Sequence, residues 1–480
     1  MADYDVTIGI EIHVQLKTAT KMFSGAPCTY GRKANTAVNE IDLGEPGAMP
    51  CVNREAVKLA VEACTALHLT IDPVVKFDRK NYYYSDLPKG FQITQQFHPI
   101  GRNGYVMIDT PNGKKKIRIN RIHMEEDTAK QYHLASVNET LLDYNRAGTP
   151  LIEIVSEPDM TTGQEAEAYV EALRQTLYYV GVSDVKMEEG SMRCDVNVSI
   201  KPKGSSVLGT KNEIKNLNSI SNIGKAVDYE VERQKKVLES GGEVHQETRR
   251  WDDKTQTTEL MRRKEGNVDY KFFPEPNIFP IRLDPEWIRN IQEHMPELPD
   301  ARKERYEKEY GLSEHDINIL IANKEMSEFF EQCMKTSKNA KSVCNWLLSD
   351  VSAWLNKNEK TIDHCALKPE DLSELAAMID DGKISSKQAK ELIDDVMNGK
   401  NPEEAAKAKG LSQISDAGAI ETMVQSVLDA NPQAISDYAA GKDRAVGFLV
   451  GQVMKQSKGK ANPGMVSGLI KEELAKRIGK

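Results

Sequence analysis

The sequence predicts an α+β fold, with a mixed α/β region first and an almost purely helical region after it. Two alternating stretches and one change of period carry that prediction. In VTIGIEIHVQL (6–16), Val6, Ile8, Ile10, Ile12, Val14 and Leu16 share one parity; Thr7, Gly9, Glu11, His13 and Gln15 share the other. A period of two marks a strand with one buried face. MRCDVNVSI (192–200) alternates as cleanly, with Cys194, Val196, Val198 and Ile200 opposed to Arg193, Asp195, Asn197 and Ser199. Past the proline-rich KFFPEPNIFPI (271–281) the period becomes helical.

Further strands are expected at 104–109, 116–125 and 151–155, with a hairpin turn at Pro111–Gly113. Between Ile117/Ile119 and Ile122/Met124 the apolar phase slips by one residue, which predicts a bulge near Asn120–Arg121. Helices are expected over 54–69, from Val57, Ala60, Val61, Cys64 and Leu67, and over 163–181. The second is read from Ala166, Tyr169, Leu173, Leu177 and Val180, with Gly181 as its stop. MPELPDARKERYEKEYGL opens the helical half with Asp300 as the expected N-cap. NGKNPEEAAKAKGL (398–411) reads as a joint, and short helices follow it to the end.

A chain of 480 residues is too long for one core and implies two to four domains. The boundaries fall at 1–294, 295–408 and 409–480. No run of about 18 apolar residues is present, and MADYDVTIGI has neither the basic nor the apolar part of a secretory signal. The expected location is cytoplasmic. Seven cysteines, none in a C-x-x-C pair, argue against a disulfide framework and against zinc held by neighbouring thiolates. The net charge is −9, yet residues 431–480 carry nine Lys and Arg against four acids. That basic end is either a phosphate-contacting module or a solvated helix surface.

Glu11 with His13, HMEED (123–127), PLIEIVSEPD (150–159) and RCDVNVSI bring carboxylates and an imidazole onto or beside separate strands. Glu153 stands in an apolar run, where an unpaired carboxylate costs several kcal/mol to bury. Two readings stay open. The acids hold a divalent metal, Mg²⁺ before zinc because oxygen donors dominate, or they pair with the arginines and lysines nearby. RKNYYYSDLPKGFQITQ (79–95) interleaves Arg79, Lys80 and Lys89 with Tyr82, Tyr83 and Tyr84. It stacks on a nucleotide or RNA, or its tyrosines pack on the sheet. The sequence contains no G-x-x-x-x-G-K-[ST], G-x-G-x-x-G, H-E-x-x-H or G-x-S-x-G motif. Cys194, on an apolar strand face, reads as core rather than nucleophile.

LDYNRAGTPLIEIVSEPD (142–159) resembles the signature of the B-subunit family of the tRNA-dependent amidotransferase. So do IGIEIHVQL, FDRKNYYYSDLPKGFQITQ, RIHMEEDTAK, GVSDVKMEEGSMRCDVNVSI, EIKNLNS, ETRRWD, YKFFPEPNI, ELPDARKERY and VGFLVGQVMK, in order along nearly the whole chain. The resemblance implies a cradle-shaped α/β kinase and transamidase domain, a helical domain, and a small helical tail similar to the YqeY family that grips tRNA. It implies ATP-dependent phosphorylation of the side-chain carboxylate of Glu-tRNA(Gln) or Asp-tRNA(Asn). Ammonia from a glutaminase A subunit then displaces phosphate, and a small C subunit completes a heterotrimer.

Carried over residue by residue, the resemblance implies Mg²⁺ ligands at Glu11, His13, Glu125, Glu153 and Asp195. It places Lys89 and Glu126 at an ammonia channel, with Glu125 and Glu126 open to exchange. Arg79, Lys80 and Arg146 become candidates for ATP phosphates, and Lys442, Arg444, Lys455, Lys458 and Lys460 for tRNA. One departure is clear. Where many members carry a four-cysteine zinc knuckle, this chain reads FSGA (23–26) and NEID (39–42). No zinc is expected, and packing is expected to hold that loop.

Overall fold

The computed structural model describes residues 3–28, 30–134, 136–263, 269–411, 417–439, 444–457, 461 and 463–478. Contacts divide the chain into two compact units, Met1–Pro299 and Asp300–Lys480.

The first unit is built on a nine-stranded sheet. Its strands are β1 (Tyr4–Gln15), β2 (Thr70–Ile71), β3 (Gly101–Thr110), β4 (Gly113–Glu126), β5 (Pro150–Ser156), β6 (Met192–Pro202), β7 (Asn212–Leu217), β8 (Glu247–Asp252) and β9 (Thr257–Arg263). Their order is β9-β8-β7-β6-β1-β5-β4-β3-β2. β7 and β8 run parallel and the other neighbours antiparallel. The opening strand is therefore central, with β6 on one side and β5 on the other.

Alternation decides what each face carries. Ile8, Ile10, Ile12 and Val14 pair with Val198, Val196, Cys194 and Met192 across β6 and share the buried face. Helices α1 (Arg54–Ala66), α2 (Gly163–Val180) and α3 (Ile220–Glu239) add Val57, Ala60, Val61, Cys64, Tyr169, Leu173, Leu177, Ile223 and Val227 to that core. Burial of this much aliphatic surface is the main force holding the layers together. α2 starts at Thr162, whose side chain caps Glu165 N, and stops at Gly181 with φ +83°. Val180 is only partly buried against the core, and Tyr179 and Thr176 are buried in its neighbourhood instead.

The bulge lies where the phase slip places it. Val155 pairs with Arg121 and Ser156 with Ile119, so Asn120 is the extra residue of β4. Ile117 and Ile119 are buried before it, Ile122 and Met124 after it. This one residue turns His123 and Glu125 onto the sheet's open face.

A small sheet of Phe273–Pro274, Asp78–Asn81 and Phe91–Thr94 lies beside β4. In the 23–42 loop an ion pair adds to the packing of Phe23, Ala26 and Ala37, which are buried. Lys21 Nζ is 2.9 Å from Asp42 Oδ2, and Ser24 Oγ donates to Asp42 Oδ1 at 2.7 Å. Lys21 is fully buried and Asp42 nearly so. Asn39 and Asp42 complete a capping box on the turn Glu40–Leu43. Gly148, at φ +83°, backs this pair: a Cβ there would stand 2.8 Å from Asp42 Oδ1.

The second unit is helical. Asp300 is a correction, because the helix Pro299–Tyr310 begins one residue earlier and Asp300 sits in its first turn. Proline suits that start because its missing N–H has no helical acceptor there. Ser313, Asn323, Asn339, Ser385 and Asn401 cap later helices through their side chains. The last four helices, Ala417–Ala430, Pro432–Ala439, Arg444–Gln456 and Pro463–Ile478, have their own core of Ile420, Val424, Leu428, Leu449, Val453, Val466, Ile470 and Leu474. Among the described residues no helix is long and apolar enough to cross a membrane.

Candidate active site

Four adjacent strands set four ionisable side chains in one row. Arg193, His13, Glu153 and His123 are successive cross-strand partners on β6, β1, β5 and β4, and directly opposed residues share a face. His13 Nε2 lies 3.2 Å from Glu153 Oε2 and 3.8 Å from Glu125 Oε1. His123 Nε2 lies 3.4 Å from Glu153 and 3.6 Å from Glu125. His13, Glu125 and Glu153 present three donor atoms within 4.8 Å of one another.

One step along, Asp195 faces Glu11. Asn197 Nδ2 donates to Glu11 at 3.1 Å. The Lys215 ammonium bonds Asp195 and lies 3.1 Å from Glu213. β7 supplies both Lys215 and Glu213.

The field is strongly mixed. Burial, then the carboxylates of Glu153, Asp195 and Glu213, push the Glu11 carboxyl above its ordinary value. Burial favours neutral imidazoles, but Glu153 and Glu125 outweigh it and raise both His13 and His123, the latter to about 9. Burial acts against the Glu153 carboxylate too, yet His123 and His13 hold its pKa well below the usual range. Negative charge has accumulated here, and it draws both imidazoles upward against the effect of burial.

A cavity of about 470 Å³ opens onto this face, lined among others by His13, Lys80, Tyr82, Glu125, Arg193 and Lys215. Glu126, next to Glu125, points the other way by strand alternation. It pairs with Lys89 Nζ at 2.5 Å and accepts from Ile93 N at 3.0 Å. Lys80 sits over the rings of Tyr82 and Tyr270. Arg79 lies over Phe91 and donates twice to Glu275, at 2.6 and 3.1 Å. Arg146 donates to the carbonyls of Thr128 and Ala129. Arg444 and Lys455 are exposed on one helix of the last four; Lys442, Lys458 and Lys460 lie outside the described residues.

Sequence reading marked the stretches that hold His123, Asp127 and Arg193 but gave these residues no role in the site, and it singled out neither Glu213 nor Lys215. Their signal was present for three of them: Arg193 shares parity with Asp195, and His123 and Asp127 share it with Glu125 past the bulge. Glu213 and Lys215 sit on a six-residue strand whose alternation is too short to read.

A family model described as "GatB/GatE catalytic domain" matches residues 6–289, and one described as "GatB domain" matches 328–474. The B subunit of the aspartyl/glutamyl-tRNA(Asn/Gln) amidotransferase of Geobacillus kaustophilus is 50% identical over 476 residues, 99% of this chain and 100% of the relative. Its namesakes in Geobacillus thermodenitrificans and Oceanobacillus iheyensis match at the same identity and coverage. The residues that build the row and the cavity fall inside the first match, and with half of all positions shared from end to end, the chain belongs to the family of aspartyl/glutamyl-tRNA(Asn/Gln) amidotransferase B subunits.

Proposed function

We propose that this chain phosphorylates and then amidates the side-chain carboxylate of glutamate on tRNA(Gln) or aspartate on tRNA(Asn). The observation that carries the reading is the row of His13, Glu153 and His123 with Glu125, facing a cavity that also holds Lys80, Arg193 and Lys215. Acidic and basic groups are gathered there from strands far apart in sequence. In the first step a carboxylate oxygen of the aminoacyl side chain attacks the γ-phosphorus of ATP and ADP leaves. In the second, the ammonia nitrogen attacks the acyl carbon, phosphate leaves and a proton is lost.

The donor set fits Mg²⁺: it is oxygen-rich and holds no thiolate, and burial together with the carboxylates of Glu153, Asp195 and Glu213 raises Glu11. His13, Glu125 and Glu153, with Glu11 and Asp195 beside them, would hold the ion, which when bound offsets phosphate charge. Lys80, at the cavity wall, binds phosphate oxygens, with Arg79 and Arg146 as the further phosphate candidates, held by Glu275 and by the 128–129 carbonyls respectively. Lys89 and Glu126 line the route by which ammonia arrives from an amidase-type A subunit. A small C subunit completes a cytoplasmic heterotrimer. Residues 1–294 form the cradle, 295–408 a helical domain and 409–480 a tRNA-binding tail; the separate core of the last four helices supports the third part.

Reconstitution with A and C partners, with ammonium chloride replacing glutamine, tests this. Conversion of misacylated tRNA should require ATP, and His13→Ala should slow it on the order of 100-fold or more. Absence of ATP-dependent conversion by the wild-type complex rejects the function. A wild-type rate for His13→Ala rejects the site.

A further inference from the structure

Three cations face the cavity, and they are not equivalent. Lys215 is bound to Asp195 and Glu213, and Lys80 rests on two aromatic rings. Arg193 stands between His13, its cross-strand partner, and Asp195, two residues on along the same open face. Its Nη2 donates to Asp127 Oδ2 at 2.9 Å, while its Nε is buried without a hydrogen-bond partner. A guanidinium has five donors in a rigid fork, and leaving a charged N–H buried and unbonded costs more than leaving a neutral one.

The carboxylate that holds Arg193 is itself immobilised. Asp127 is 4% exposed. Its Oδ2 also accepts from Gln15 Nε2 at 2.8 Å and lies 3.7 Å from Arg146 Nε, and its Oδ1 accepts from Thr128 N at 2.9 Å. Its backbone N–H and C=O are tied to Thr149 and Gly148. Asp127 therefore fixes the guanidinium at the cavity wall through one of its nitrogens, and the side chain still lines the cavity.

We propose that Arg193 is a substrate-binding catalytic residue that receives an oxyanion at the reacting centre, and that Asp127 is its positioning residue. The oxyanion is the aminoacyl carboxylate or the phosphoryl group that joins it. Both present paired oxygens that suit a guanidinium fork better than an ammonium. This rests on the amidation reading above.

The test uses the reconstituted A–B–C complex with ammonium chloride, measuring kcat and the KM for ATP and for misacylated tRNA separately. Arg193→Gln should lower kcat/KM on the order of 100-fold, and Arg193→Lys should not restore it. A raised KM for misacylated tRNA identifies the carboxylate as the oxyanion; a raised KM for ATP identifies the phosphoryl group. Added guanidinium ion should partly rescue Arg193→Ala. Asp127→Asn should raise the same KM by less, and the double variant should fall short of the product of the singles.

Wild-type constants in an Arg193→Gln complex that melts normally would overturn the proposal. So would a loss that tracks a lowered melting temperature and ignores guanidinium. If the wild type is active and His13→Ala is not while Arg193→Gln keeps the wild-type rate, this inference alone fails. If the wild type shows no ATP-dependent amidation, the function reading fails with it.

Discussion

The central sheet and the last four helices organise charge in opposite ways. In the sheet, the side chains of the candidate site come from positions 11, 13, 125, 153 and 195, and each meets a partner on another strand. In the terminal helices, Arg444 and Lys455 project from the surface of a helix that packs locally, and the apolar stripe beneath comes from neighbours in sequence. A site built from cross-strand pairs is exact in position and depends on register at every strand. A basic helix face is loose in position and depends on little beyond the helix itself. Phosphoryl transfer demands the first kind of precision. Contact with a nucleic-acid backbone tolerates the second.

The sharpest way to break the comparison is to remove Asn120. Deleting the bulge shifts one arm of β4 by a residue, so either His123 and Glu125 turn toward the core or the apolar residues before the bulge turn outward. Loss of ATP-dependent amidation by at least about 1,000-fold is expected, read in the reconstituted complex alongside the circular dichroism of the variant. Near-normal turnover would show that register does not govern the site.

Asp42→Ala is the next largest. It leaves the Lys21 ammonium buried and unpaired and should destabilise the first unit by about 3–5 kcal/mol, measured by urea unfolding. Lys21→Met with Asp42→Leu, which removes both charges, should cost much less; equal losses would mean that shape, not charge, holds the loop.

The smallest effect is expected in the tail. Arg444→Ala with Lys455→Ala should weaken tRNA binding only a few-fold and lower the slope of log K against log salt by roughly 1–2. The two-residue change should leave melting of the sheet unit unaltered. An unchanged salt slope would exclude these side chains from phosphate contact.

The same contrast governs what was legible in the sequence. β1 and β6 are long and alternate without interruption, so their faces, and the shared side of Glu11 and His13, can be read directly. The slip after Ile119 announced the bulge. β7 and β8 could not be read this way: NEIKNL and ETRRWD are short, polar and joined through a helix of 20 residues. Glu213 and Lys215 enter the site through the antiparallel pairing of β7 with β6, whose register shifts beside Asp195, so neither strand alone announces it. Asp127 keeps the parity of Glu125 just past the end of β4, but its importance comes from Gln15, Arg146 and Arg193, all distant in sequence. The resemblance to the amidotransferase family located whole strings but did not say which side chains within them meet. Glu125 and Glu126 show this, since only the sheet's pleat separates them.

That separation gives consecutive residues of β4 different partners: Glu125 meets His13, and Glu126 meets Lys89. The strand Phe91–Thr94 touches both, through Thr94 Oγ1 on Glu125 and Ile93 N on Glu126. One peptide bond of β4 and one short strand join the two carboxylates, so a shift of Phe91–Thr94 moves the partners of both.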